Sequence, residues 1–279
     1  MMNPKLLILL AALLALNLVG CASQPAGSLL IIGGGLRDDN AAVYQRFVQL
    51  AGPNATIGVI PTASGVDDPG AETISIIKGF ALPGQRVVLI PLFKDDAAPS
   101  DAPHAKAADP AIVDQIRACR ALWFTGGDQS RITAVFRPLP ARTSPAYLAT
   151  LAVLERGGVI AGTSAGAAIM SDPMITGGTS EDALKHGSTN TPDPANGQGV
   201  GLALGMGYLT PLPGEKTPPI VDQHFTQRNR FGRLWTAMLA TGAPRGLGIP
   251  EDTALEVHRP TGTLRAIGPN PVVDMRSAR

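Results

Sequence analysis

The sequence predicts an α/β fold, a three-layer sandwich around a mostly parallel central sheet. Three observations carry this reading. Apolar, β-branched runs alternate with amphipathic stretches of helical period from residue 28 onward, the pattern of a sheet covered by helices on both faces. Gly (32) and Pro (25) are abundant while aromatics make up 4 %, which suits short strands joined by tight turns rather than a helical bundle. A length of 279 residues at 44 % hydrophobic content supplies a sizeable core.

In chain order, strands are predicted at Leu29–Ile32, Thr56–Ile60, Arg86–Pro91, Ala121–Thr125 and Gly158–Thr163. Helical periods fall between them: AAVYQRFVQLA from Ala41, ETISIIKGFAL from Glu72, PAIVDQIRAC from Pro110 and AYLATLAVLERG from Ala146. Asp109 before Pro110 reads as an N-cap followed by proline at the first helical position, where the missing amide hydrogen costs nothing. Gly157 closes the fourth helix, and right-handed βαβ crossovers would stack these units. Over residues 176–217 the pattern fades into Gly, Pro, Asn and Thr, so a long loop with little regular structure is expected. After it come the strand PPIVD, a helix around Arg230 to Leu239, and the segments LGI, ALEVH and LRAI. Pro260-Thr261-Gly262 makes a hairpin of the last two.

The first residues have a different character. MMNPK carries one positive side chain beside a free amine, and the apolar run Leu6 to Leu18 is too short to span about 30 Å of hydrocarbon. Leu18-Val19-Gly20-Cys21 resembles a bacterial lipoprotein cleavage box. Residues 1–20 are therefore expected to be a lipoprotein signal peptide, with Cys21 lipidated, 21–27 a lipidated cysteine and tether, and 28–279 a single domain. Ala22, in place of Asp at the second mature position, suggests an exported protein anchored in the outer membrane of the cell envelope, its membrane contact made through the N-terminal lipid. Cys119, the other cysteine, falls in a helical stretch and reads as a buried structural thiol.

Composition narrows the function. Lys plus Arg number 23 against 22 Asp plus Glu, and loss of Lys5 with the leader leaves 22 of each, so no nucleic acid partner is expected. With two cysteines and no C-x-x-C pair or Cys/His cluster, neither a metal site nor a disulfide scaffold is expected. Gly33-Gly34-Gly35 follows the first strand, but Asp38 stands where a dinucleotide fingerprint needs its third Gly. A turn requiring positive φ is the better reading.

Gly162-Thr163-Ser164-Ala165-Gly166 lies between the strand GVIA and the helix-compatible AAIMS, the context of a nucleophile elbow. A serine hydroxyl needs a base, an orienting acid and oxyanion donors. Four histidines are available. His104 sits in a polar, Ala-rich linker and His186 in the long loop, which leaves His224, at the end of PPIVD, and His258, at the end of ALEVH. Ser164 with Asp222 and His258 would follow the chain order of an α/β-hydrolase; Ser164 with His224 and Glu251 is the other arrangement. Spacing does not decide between them. FTGGDQSR (124–131) puts glycines at another strand end, where a backbone amide from Gly126 or Gly127 would join Ala165 N–H at a developing oxyanion. Arg228, Arg230 and Arg233 follow His224 and suggest a pocket for carboxylates.

Taken together, LLIIGGG, FTGGDQSRI, GTSAGA, DQHFTQRNRFGRL and GIPEDTALEV resemble the cyanophycinases, within the serine peptidase family that also contains aspartyl dipeptidase. The resemblance implies a class I glutamine-amidotransferase-like (flavodoxin-like) fold with Ser164 as nucleophile, His224 as base and Glu251 as its orienting acid. It further implies oxyanion donors at Gly127 and Ala165, and substrate binding by Gln129, Asp222, Gln223, Arg228, Arg230 and Arg233. The implied substrate is cyanophycin, a poly-aspartate backbone with arginine on its side-chain carboxyls, cut to β-Asp-Arg dipeptides without metal or cofactor. Pro250 departs from the family, which more often has an acidic residue before the triad acid. A homodimer is compatible with the sequence, which carries no mark of oligomeric state.

Overall fold

The computed structural model describes residues 27–66, 70–96, 106–138, 143–190 and 198–277. The leader, Cys21, the tether through residue 26 and His104 lie outside the described residues. Among the described residues no helix is long and apolar enough to cross a membrane.

Five strands run parallel at the centre: β1 (Ser28–Ile32), β2 (Thr56–Ile60), β3 (Arg86–Leu89), β4 (Ala121–Phe124) and β5 (Val159–Thr163). With β11 (Ala254–His258) and β12 (Thr263–Ile267) they form a seven-stranded sheet ordered β12-β11-β1-β5-β4-β2-β3. β11 joins antiparallel to β1, and β12 antiparallel to β11 through the Gly262 hairpin. The β1 strand is bonded on both sides and buried on both faces, which explains its unbroken apolar sequence.

Alternation divides the core. Leu30, Ile32, Val59, Ala121 and Trp123 face α1 (Ala41–Ala51) and α2 (Ala71–Phe80), where Val43, Tyr44, Phe47 and Ile77 close the layer. Leu29, Ile31, Leu122, Phe124 and Ile160 face the other way, against α3 (Pro110–Ala118), α4 (Gln129–Phe136) and α5 (Pro145–Glu155). Side-chain caps fix the starts of α1, α3 and α5: Asn40 accepts from Val43 N–H, Asp109 from Ala111 N–H ahead of Pro110, and Ser144 from Tyr147 N–H ahead of Pro145. Cys119 is buried, its thiol pushed up to about 11 by desolvation above all.

Two segments differ from the sequence reading. Residues 129–136 form α4, with Asp128 capping Ser130 N–H, where only a glycine turn was expected. The region 176–217 is not without regular structure. It contains the end of β6 (Met174–Gly177), then α7 (Ser180–His186), β7 (Ser188–Thr189) and β8 (Val200–Ala203). These strands make a separate sheet ordered β6-β8-β7, and Thr179 caps α7 by accepting from Asp182 N–H. Strands this short leave little periodicity to read. Gly27, expected at the end of the tether, is already tied to the sheet, its carbonyl accepting from Arg259 N–H. A third sheet, β13-β10-β9, combines β9 (Ile220–Asp222), β10 (Arg245–Gly248) and β13 (Val273–Arg276), with α8 (Phe231–Thr241) packed on it.

Candidate active site

The site gathers at the C-terminal ends of β1, β4, β5 and β9, the end at which parallel sheets place their chemistry. Ser164 follows β5 directly and precedes the short helix α6 (Ala165–Ala168). Its backbone takes φ 52°, ψ −108°, a conformation rare for a residue with a Cβ. The turn is possible because of its flanking glycines. A methyl on Gly162 would lie 2.2 Å from Gly166 O, and one on Gly166 would lie 2.5 Å from Phe124 O.

His224, just beyond β9, also has positive φ, 48°. Its N–H donates to Gly33 O at 2.6 Å, so the loop carrying the imidazole is pinned to the end of β1. The ring bridges two partners. Ser164 Oγ lies 2.9 Å from Nε2, and Glu251 Oε1 lies 2.5 Å from Nδ1. With Nδ1–H donated to the carboxylate, Nε2 presents its lone pair to the hydroxyl, the tautomer a general base requires. Burial lowers the His224 pKa below 6.5, reinforced by the charges of Arg228 and Arg230 and opposed by the Glu251 hydrogen bond. The imidazole is accordingly neutral at pH 7.

Glu251 is itself held. Its N–H donates to Gln227 Oε1 at 3.0 Å, and its carbonyl accepts from Asn270 Nδ2 at 2.9 Å. The neighbouring Asp252 is buried and ties this loop to the glycine turn after β1: it accepts from Asn40 Nδ2 and Arg37 N–H, and its own N–H donates to Gly34 O. Asn40, Asp252, Gln227 and Asn270 have no signature in the sequence, because each acts through a partner distant along the chain or through a backbone atom. Gly33-Gly34-Gly35 is a turn with positive φ at its second and third positions, and it also makes room for the site. A methyl on Gly34 would lie 2.3 Å from His224 Nε2, and one on Gly35 2.9 Å from Glu251 Oε2.

The structure separates the two histidines that spacing left open. His258 pairs with Ser28, at the opposite end of β1 from Ile32, which neighbours Thr163; its Nδ1 lies 2.8 Å from Thr261 Oγ1. No triad of Ser164 with Asp222 and His258 exists. His186 is exposed in the last turn of α7, not in a loop.

The expected oxyanion residues lie around the serine to different degrees. Ala165 is the first residue of α6, so helix geometry gives its N–H no intrahelical acceptor. Gly126 flanks the nucleophile, since a methyl there would be 3.4 Å from Ser164 Cβ. Gly127 has φ 137° and packs toward Ala63 O.

The expected substrate-binding residues divide into buried and accessible groups. Asp222 (1 % exposed) and Arg233 (4 % exposed) face each other as a bidentate pair, Nε to Oδ2 at 2.7 Å and Nη2 to Oδ1 at 2.5 Å. Asp222 Oδ1 also accepts from Gln223 N–H, and Arg233 Nη1 donates to Gly178 O. Their polar atoms are hydrogen-bonded to each other and to neighbouring backbone groups. Gln129 is likewise engaged, its Nε2 donating to Thr176 O at 2.5 Å and Ile175 O at 3.2 Å. Arg230 donates to Gln223 O and Oε1, both at 2.6 Å; burial and the nearby Arg233 bring its pKa down to about 10. Arg228 is exposed. Among the described residues no group of three His, Cys, Asp or Glu is placed to hold a metal ion. A cavity of about 350 Å³ opens beside the triad, with Ser164, His224 and Gly126 on its wall.

Residues 29–264 match the model of peptidase family S51. A cyanophycinase of Synechococcus elongatus is 34 % identical over 227 residues, covering 81 % of this chain and 60 % of that protein. A cyanophycinase of Geminocystis herdmanii (strain PCC 6308) is 30 % identical over 228 residues, covering 81 % of this chain and 72 % of that protein. The chain thus spans about 60 % of the length of the first of these relatives. Among solved structures, a peptidase from an acI-B1 Actinobacterium superposes with a TM-score of 0.60 at 17 % identity, covering 92 % of this chain and 97 % of that one. That likeness shows a shared fold, here a mixed α/β architecture with a mainly parallel central sheet.

Proposed function

This chain belongs to peptidase family S51, and from that premise we propose that it is a serine-type exopeptidase that hydrolyses cyanophycin to β-Asp-Arg dipeptides. The observation that carries the reading is the continuous chain of hydrogen bonds from Ser164 Oγ through the His224 ring to Glu251 at the mouth of a cavity.

In the first step Ser164 Oγ attacks the scissile carbonyl carbon while its proton passes to His224 Nε2. The carbonyl π pair moves onto oxygen, where Ala165 N–H and a second backbone amide from 126–127 stabilise it. Collapse of this intermediate breaks the C–N bond, and the His224 proton leaves with the amine. Water then repeats the sequence on the acyl-enzyme, giving its proton to His224 and releasing the acid. Glu251 stabilises the imidazolium formed in each half. Arg228, which is exposed, offers its guanidinium to the carboxyl-rich backbone of the polymer, and Arg230, largely buried behind it, adds positive charge to the same side. Gln223 orients Arg230. No cofactor enters this scheme.

Incubation of the full chain with cyanophycin, followed by mass analysis of the products beside a Ser164→Ala control, tests the proposal. Release of β-Asp-Arg by the wild type alone is expected. Cleavage of short aspartyl peptides with the polymer left intact would instead indicate an aspartyl dipeptidase. Absence of adduct with a fluorophosphonate probe at Ser164 would indicate a binding protein without turnover.

The same reading includes a class I glutamine-amidotransferase-like fold, a single catalytic domain over 28–279, and export to the outer membrane through a lipid on Cys21. The leader LLILLAALLALNLVGC supports the last point. Partition of the wild type, but not Cys21→Ser, into the detergent phase of a membrane extract would bear on it directly.

A further inference from the structure

The end of the central sheet opposite Ser164 is lined with arginine. Arg156 stands ahead of β5, Arg120 ahead of β4, and Arg86 at the first position of β3. Arg259 follows the antiparallel β11 at the same level, its N–H donating to Gly27 O at 3.2 Å, and Arg117 joins them from the last turn of α3. Arg86, Arg117, Arg120 and Arg156 are exposed. From β11 to β3 the row crosses the width of five strand spacings, about 24 Å.

These guanidiniums share one face. Arg120 Nη1 donates to Arg156 O at 2.5 Å, Arg156 Nη2 to Arg117 O at 2.7 Å, and Arg86 Nη2 to Thr56 Oγ1 at 3.0 Å. Burial raises the Cys119 thiol while Arg156 and Arg86 both act against it, so their charges converge near the foot of β4. Asp114 stands 3.6 Å from Arg117 and Glu155 acts on Arg259, but Arg86, Arg120 and Arg156 are in no ion pair among the described residues. Carbonyls at the C-terminal ends of α3 and α5 occupy one arm each of Arg156 and Arg120. A guanidinium has five N–H donors, so most of the bonding capacity and all of the charge remain available to a partner.

A second observation is independent of these charges: the chain enters the fold here. Gly27 is tied to this face, and Cys21 precedes it by six positions, so covalent geometry keeps that cysteine within about 20 Å of Gly27. The apolar run Leu6 to Leu18 comes before it.

We propose that this arginine face is a membrane-docking surface that lies on anionic phospholipid headgroups and turns the active site away from the bilayer. Phosphodiester oxygens accept from paired guanidinium N–H groups, and surface cations strengthen an attachment that a single acyl chain leaves marginal. The length of β5 sets Ser164 about 17 Å beyond the arginine level, so a polymer meets the cleft from the aqueous side. The inference rests on the proposed lipid at Cys21 only for what holds the chain at the bilayer.

The test is co-sedimentation with vesicles of phosphatidylglycerol and phosphatidylcholine in equal parts, beside vesicles of phosphatidylcholine alone. The full chain carrying Cys21→Ser is used, so that no acyl chain contributes and the apolar leader acts equally on both vesicles. A basic residue at an anionic surface is worth roughly fivefold in binding. We expect at least a tenfold preference for the anionic vesicles, fading as salt is raised. Arg86→Gln, Arg120→Gln and Arg156→Gln combined should remove it with an unchanged circular dichroism spectrum, and the three corresponding Lys substitutions should keep it. Arg86→Gln alone, which breaks no bond to a backbone group among the described residues, should already weaken it several-fold. Equal binding to the two vesicles, a preference that the Gln substitutions leave intact, or one that the Lys substitutions also lose, would overturn the surface. Tighter binding to a DNA duplex than to the anionic vesicles would overturn it too, in favour of nucleic acid. The mass of the wild type is scored separately: a charge preference without an acyl group on Cys21 would retain the surface and refute the anchor.

Discussion

Gly34 lies against the imidazole of His224 so closely that a methyl group at position 34 would stand 2.3 Å from Nε2, the nitrogen that faces the Ser164 hydroxyl. The glycine run after the first strand therefore fixes where the base sits. Gly34→Ala must push the ring away from Ser164 or distort a backbone already at φ 91°. Misplacement of a reacting group by about 1 Å costs on the order of 10²-fold in rate. We expect kcat of Gly34→Ala to fall by that order with a native circular dichroism spectrum, and wild-type turnover in this variant would contradict the assignment.

The pH profile should follow the environment of His224. Burial lowers its pKa from 6.5, so the neutral, proton-accepting ring persists into mildly acid solution, and the acid limb of kcat/KM should have its midpoint below 6.5. Glu251 acts in the opposite direction, since its hydrogen bond favours the imidazolium. Glu251→Gln removes that support and should shift the limb further down while lowering kcat by about 10⁴-fold, as loss of the orienting acid does in serine proteases. A limb displaced upward in this variant would mean that the carboxylate does not contact the ring.

His258 provides a control. It pairs with Ser28 at the far end of β1 from the β5 terminus that leads into Ser164. His258→Ala is expected to retain wild-type kcat and KM on the same substrate for which His224→Ala loses activity by several orders of magnitude. The reverse pattern in a steady-state assay would restore the α/β-hydrolase arrangement that the sequence left open.

Legibility tracked the range over which each feature is determined. Ser164 was readable because strand, turn and helix constrain one another within a few residues, and the glycines at 162 and 166 are demanded by contacts with Gly166 O and Phe124 O. β1 and β4 were readable because burial on both faces leaves continuous apolar runs. Pairings across the chain were not. Asn40 with Asp252 spans 212 positions, and nothing local announces it. The same holds for the glycine run, which reads as a turn until His224 is seen against it. In residues 176–217 the strands are two to four residues long, too short for a period of two to stand out.

The Asp222–Arg233 pair leads to a prediction about stability, not affinity. Sequence position alone places both residues beside the base, as though to meet substrate. In the structure they are almost fully excluded from solvent, and each is committed to the other and to backbone groups at Gln223 and Gly178. Removing one member strands the other as an uncompensated buried charge, which costs about 3–5 kcal/mol. Arg233→Met should therefore lower the urea midpoint strongly, whereas Arg228→Ala, at an exposed position, should change stability by less than about 0.5 kcal/mol while raising KM. The contrast matters because both arginines follow His224 within one short segment, yet one supports the loop from beneath and the other faces solvent. If urea denaturation gave Arg233→Met the stability of the wild type, the pair would have to be open to solvent, and a direct substrate contact by Arg233 would become the better account.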